Sequence, residues 1–326
     1  MFVASLLVAS FVRGVMFASW APQQGLPEIL TGSEPGRRSL AALALRAVAG
    51  DTNITMARHL QTRLGPIALD ERGEGPPLLL LPANGRAAAD WETVRAALAR
   101  EHRTVALDWP AMGASPPGPA PHTASASGFA DALEEVVDAL GLSAAILLGH
   151  SVGAFAAARL AARRPHAVRA LVLVQSGGFA RLGPLERLFC RLKGAPRITR
   201  RAEARFARLH TRLLTPEARA MIARVEAMRR APGYAETVGA VWRSFAGPDA
   251  DLGEEARRIL APTLLVWGAR DPVIPLSAGR AAERLIPGAR LVALDCGHSP
   301  YLERPAEFSA ALSDFLSGLA PAGARP

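Results

Sequence analysis

From residue 78 onward, short runs that are apolar at nearly every position alternate with longer stretches that are apolar on one side only. Leu78-Leu79-Leu80-Leu81 is the first such run, and others fall at 104–107, 144–148, 170–174, 263–267 and 290–294. A run apolar on both faces is the signature of a strand buried between two layers, as in a parallel sheet. The intervening segments 90–100, 128–140, the stretch from Val152, 277–285 and 305–316 have helical patterning. Strand and helix in strict alternation predict parallel strands joined by crossover helices, an α/β fold with a doubly wound, mostly parallel sheet. Segments 59–64 and 67–71 around Gly65-Pro66 predict a leading antiparallel hairpin, and the proline-rich segment 116–123 predicts a loop. Residues 181–250 break the rhythm, with three helical stretches at 184–193, 201–214 and 216–230.

Candidate chemistry collects at the carboxyl ends of these strands, where open parallel sheets carry their sites. The run 144–148 leads into Gly149-His150-Ser151-Val152-Gly153, and an Ala-rich helix follows. A strand, a Gly-x-Ser-x-Gly turn and a helix form the context of a nucleophile elbow. Asp271 follows the run 263–267, and His298 follows 290–294. A serine hydroxyl needs a base to take its proton, and histidine, with an unperturbed pKa of roughly 6.5, suits that task. An aspartate beside it fixes the tautomer and stabilises the imidazolium. Ser151, Asp271 and His298 are therefore the candidate catalytic residues. Each has an ordinary structural explanation alone: a small-residue turn, an Asx turn before Pro272, a loop histidine. Their joint occurrence in the right context favours the chemistry.

The chain resembles the α/β-hydrolase superfamily. The resemblance rests on the elbow, on Asp108-Trp109-Pro110, on Gly268-Ala269-Arg270-Asp271-Pro272 and on Gly297-His298-Ser299-Pro300-Tyr301. It spans roughly residues 60–180 and 250–320 and implies the chain order Ser, Asp, His. It also implies an oxyanion hole formed by the backbone of Val152 and a residue of the loop after 78–81, by position Asn84. Two departures stand out. Pro82-Ala83 replaces the usual His-Gly, which leaves open whether Asn84 donates from its backbone, the preferred reading, donates from its side chain, or only forms a turn with Gly85; Ala111 replaces a customary glycine. By position, residues 181–250 are an inserted helical cap. The organisation expected is a core first half over 56–180, the cap, and a core second half over 251–326. Gln175, Trp109, Tyr234 and Trp242 are the substrate-pocket candidates, although cap–core packing is the preferred explanation for either cap aromatic alone and plain loop structure explains Gln175 equally well. His150 is expected to be a packed neighbour and not a second base.

The implied activity is a serine hydrolase acting through an acyl-enzyme on an ester or related small to medium acyl substrate. The alternatives are a non-catalytic binding protein of the same fold and a cofactor-free carbon–carbon hydrolase or perhydrolase. No cofactor or metal is expected, since Cys190 and Cys296 lack paired-ligand spacing. The net charge of +9 and pI near 11 raise the question of nucleic acid. The charge is carried by scattered arginines with Lys193 the only lysine, which reads as compositional bias, and no nucleic-acid partner is expected. Residues 1–55 lie outside the hydrolase pattern. They are read as an anchor or signal, a disordered extension, or an upstream misassigned start with Met56 the true one, the last being preferred. Membrane contact is expected only through residues 1–21, and a cytoplasmic location otherwise.

Overall fold

The computed structural model describes residues 58–320 of the 326. The expectations for residues 1–55 lie outside the described residues. Eight strands form one sheet. In chain order they are β1 (Arg58–Thr62), β2 (Gly65–Arg72), β3 (Pro77–Leu81), β4 (Arg103–Asp108), β5 (Ala145–His150), β6 (Val168–Val174), β7 (Thr263–Gly268) and β8 (Arg290–Leu294). Their spatial order is β1-β2-β4-β3-β5-β6-β7-β8. β1 and β2 pair antiparallel, with Leu60 opposite Ile67, and β2 meets β4 antiparallel; every other pair is parallel. The sheet is thus mostly parallel, as the apolar runs predict, and the architecture is the α/β-hydrolase fold that the resemblance implies.

The helices that cover the sheet are α1 (Glu92–Leu98), α2 (Ala126–Ala139), α3 (Val152–Arg163), α9 (Leu276–Leu285) and α11 (Pro305–Ser317). Between β6 and β7 the chain forms α4 (Pro184–Lys193), α5 (Pro196–His210), α6 (Pro216–Met228), α7 (Tyr234–Ser244) and the single turn α8 (Gly253–Ala256). A further turn, α10 (Pro300–Glu303), precedes α11. Among the described residues no helix is long and apolar enough to cross a membrane.

Alternation along each strand divides the core into two layers. Leu79, Leu81, Leu147, Leu171, Leu173 and Leu265 face α2 and α3 on one side. Leu78, Leu80, Ile146, Leu148, Val172 and Leu264 face Trp91 and Phe308 on the other. Ser125 caps α2 by accepting from the Gly128 N–H at 2.9 Å.

Boundaries in the inserted segment differ from expectation. α5 starts at Pro196 and not at residue 201, because proline is pre-set for the first helical turn. α7 was not anticipated. It begins after Gly233 in a left-handed conformation and contains Gly239 and several β-branched residues, so its helicity depends on burial of Tyr234, Val238 and Val241.

Helix α3 must lie close to the sheet for the turn before it to close. At Gly153 a Cβ would stand 2.4 Å from the Leu81 carbonyl oxygen, a backbone atom that cannot move away cheaply. Helix propensity alone would make Gly153→Ala stabilising by about 1 kcal/mol. The collision predicts the opposite: urea denaturation of Gly153→Ala should show a loss of about 2 kcal/mol or more.

Candidate active site

Ser151 follows β5 directly and precedes the first residue of α3. Its backbone sits at φ 54°, ψ −111°, outside the regions that ordinary L residues populate. Such strain costs about 1–3 kcal/mol and persists only where the surroundings impose it. Here the Ser151 N–H donates to the Val174 carbonyl at 2.9 Å, and its carbonyl accepts from Phe155 N at 2.9 Å. A side chain at Gly149 would press within 2.6 Å of Ala154 N. The glycines at both flanks of the motif are therefore steric requirements. The result places Ser151, half-buried, on the wall of a cavity of roughly 170 Å³, with the amino end of α3 beneath it.

His298 lines the same cavity. Its Nδ1 lies 2.7 Å from Asp271 Oδ2, and both residues are buried. Nδ1 as donor leaves Nε2 as a lone-pair acceptor, the tautomer that general-base chemistry needs. Asp271 is tightly engaged: Oδ2 also accepts from Gln175 Nε2 at 2.7 Å, and Oδ1 accepts from the Val273 N–H at 2.8 Å. The His298 backbone is tethered on two sides. Its N–H donates to the His210 carbonyl at 3.0 Å, and its carbonyl pairs with His150 Nε2 at 2.8 Å. Tyr301 Oη lies 3.1 Å from His150 Nδ1, so the tyrosine donates and Nε2 carries the hydrogen given to His298. Burial holds His150 well below the usual histidine range, hence neutral. Its buried ring ties the His298 backbone to Tyr301.

Glu303 was not singled out by its sequence pattern, yet it organises this corner. Its side chain is buried and accepts from four backbone N–H groups: Arg212 at 2.7 Å, Leu213 and Gly297 at 2.9 Å, and Ser299 at 3.1 Å. One carboxylate thus binds the His298 loop to the connection between α5 and α6.

The loop after β3 accommodates Pro82-Ala83 without losing definition. The Pro82 carbonyl accepts from Trp109 Nε1 at 2.8 Å, and Arg86 N–H donates to the Ala83 carbonyl at 3.1 Å. Tyr234 Oη donates to the Gly85 carbonyl at 2.9 Å. Asn84 lines the cavity, but its Nδ2 donates to the Val238 carbonyl at 3.0 Å, which favours the backbone as its contribution to an oxyanion. Ala111, in place of the customary glycine, takes the left-handed conformation anyway at φ 65°.

Three pocket candidates are corrected. Trp109 does not line the cavity; it is fully buried and stacks on Phe129 at 4.5 Å, because its indole N–H finds its partner in the β3 loop. Tyr234 is spent on holding Gly85. Gln175 lies behind Asp271 and not in the cavity, since its own backbone, at φ 47°, turns the amide toward the carboxylate. Trp242 does line the cavity, edge-on to Phe189 and Phe206. So do Arg86, Glu203 and His210, none of which the sequence pattern separated from the rest. Cys190 also lines the cavity, but burial pushes its thiol up to about 12, which removes it as a rival nucleophile.

The profile of the alpha/beta hydrolase fold family matches residues 76–305, and the chain belongs to that family. It is a hydrolase by class. Among its relatives, a Klebsiella pneumoniae protein assigned by name as a carbamate hydrolase, RutD, is 30% identical over 76% of this chain and 94% of its own length. A 2-hydroxymuconate semialdehyde hydrolase of Pseudomonas putida is 31% identical over 76% of this chain and 90% of its own. The solved structure of a hydrolase from Pseudomonas aeruginosa superposes with a TM-score of 0.68 at 27% identity, covering 82% of this chain and all of that one.

The Glu303 network generates a direct expectation. In Glu303→Gln the amide group must face N–H donors with a donor of its own. That mismatch should lower stability by about 1–3 kcal/mol in urea titrations. Displacement of the His298 loop should also cut turnover about tenfold or more.

Proposed function

We propose that the protein cleaves an ester or related acyl substrate through a covalent intermediate on Ser151. The observation that carries this reading is the placement of a strained elbow serine and an aspartate-bound imidazole on the wall of one cavity. His298 Nε2 takes the hydroxyl proton as Ser151 Oγ attacks the carbonyl carbon. The oxyanion that forms is held by the backbone N–H groups of Val152 and Asn84, the first helped by the positive end of α3. The tetrahedral adduct collapses, the imidazolium gives its proton to the leaving alcohol, and an acyl-enzyme remains. Water, deprotonated by His298, then attacks that ester, releasing the acid and restoring Ser151. Asp271 stays ionised throughout and stabilises the imidazolium.

The inserted segment 181–250 serves as the cap. Phe189, Phe206 and Trp242 come from it and close the cavity over the core residues Phe179 and Ile274. A mostly apolar lining of this size suits a small to medium acyl chain. A second reading is hydrolysis of a carbon–carbon bond, favoured by the likeness to the P. putida semialdehyde hydrolase; it would use the same histidine and oxyanion site.

Two measurements test the proposal. Wild-type protein should be labelled by a fluorophosphonate probe and Ser151→Ala should not; a folded wild type that resists labelling would sink it. Asp271→Asn should lower kcat by about 10⁴-fold on p-nitrophenyl esters through the wrong imidazole tautomer.

A further inference from the structure

Arg86 is a cation on the cavity wall that forms no ion pair among the described residues. It lies two residues beyond Asn84 on the β3 loop, is only 4% exposed, and lines the same cavity as Ser151 and His298. A buried guanidinium is costly unless paired with a charge. Arg86 has one side-chain hydrogen bond, Nη2 to His210 Nε2 at 2.8 Å. Burial holds His210 well below its usual range, so it is a neutral acceptor that supplies no negative charge.

The carboxylates of this region are already claimed. Glu203 pairs with the fully buried Lys193. Asp90 pairs with Arg224 at 2.6 Å. Asp271 is held by His298 and Gln175. Among the described residues none forms an ion pair with Arg86. The cavity wall thus presents a buried fork of N–H donors with no ion-pair partner, reached by the Asp90 carboxylate only through space, next to the site of attack. Arginine in that state is matched to a carboxylate, which it can bind through two parallel hydrogen bonds.

We propose that Arg86 binds a free carboxylate on the acyl chain of the substrate, so that the preferred substrates are monoesters of short dicarboxylic acids or acyl compounds of that charge pattern. The assignment of the cleaved bond rests on the acyl-transfer reading above; the carboxylate site does not. Asn84 and Arg86 are separated by at most about 7 Å along the chain, so an acid group a few carbons from the reacting carbonyl reaches both.

Glutarate and valerate differ by one carboxylate and form a matched pair. Calorimetric titration of the wild type should show glutarate bound about tenfold or more tightly than valerate, and the difference should vanish in Arg86→Met. With the p-nitrophenyl monoesters of the same two acids, Arg86→Met should lower kcat/KM for the glutarate ester about 10²-fold, mainly through KM. The valerate ester should change less than about threefold. Arg86→Lys, which keeps the charge and loses the fork, should fall between. Equal losses on both esters, or glutarate bound no more tightly than valerate by wild type, would overturn the proposal. The wild-type comparison decides it even if Arg86→Met fails to fold. Glutarate bound through Arg86 by a protein that cleaves neither ester would refute the hydrolytic reading and leave the carboxylate site standing. Both esters cleaved alike with no glutarate preference would do the reverse.

Discussion

The site depends on one backbone constraint: the strained turn that carries the chain from β5 through Ser151 into α3. A serine at φ 54° is unstable by itself. It is held because β5 is buried on both faces, because its N–H is bonded to the end of β6, and because α3 approaches β3 so closely that only glycine fits at position 153. The strain is offset by the large core on either side of the sheet. It has a chemical consequence, since it puts a hydroxyl and a helix amino terminus on the same small patch of cavity wall. Every proposed step of acyl transfer starts from that juxtaposition.

The remaining groups reach this patch through fixed charges in a dry corner. Asp271 fixes the imidazole ring, while His150, Tyr301 and Glu303 fix the backbone that carries it. Each carboxylate is satisfied by several N–H donors, as burial of a charge requires. The same accounting makes Arg86 stand out, because the nearby carboxylates Glu203, Asp90 and Asp271 each bond to another group and none forms an ion pair with it. The loop after β3 therefore has two duties in this account: Asn84 faces the developing oxyanion, and two residues later Arg86 faces the rest of the substrate.

Much of this architecture was legible in the sequence because its signals are local. Fully apolar runs gave the strands, and tight-turn glycines around Ser151 gave the elbow. Asp271 and His298 could be found because each follows an apolar strand directly. What stayed hidden depends on long-range packing. Glu303 is a common residue in a common place, and only the fold brings the Arg212–Leu213 backbone onto it. Gln175 and Trp109 are expected in the pocket because they follow strands directly, and Tyr234 because it lies in the inserted segment over the site. Each instead satisfies a buried backbone or carboxylate partner, a choice fixed by rotamer and neighbours. Helix α7 escaped notice because its glycine and β-branched residues are poor helix formers, and burial overrides that preference. Trp242, in its last turn, does reach the cavity.

The central claim, that Ser151 takes up the acyl group, is tested most directly by rapid-quench mass spectrometry of the wild type mixed with p-nitrophenyl acetate. The account predicts an initial burst of p-nitrophenol matched by protein heavier by one acetyl group, with that group on the peptide containing Ser151. Acetyl found on another residue, with Ser151 unmodified while the ester is consumed, would contradict it.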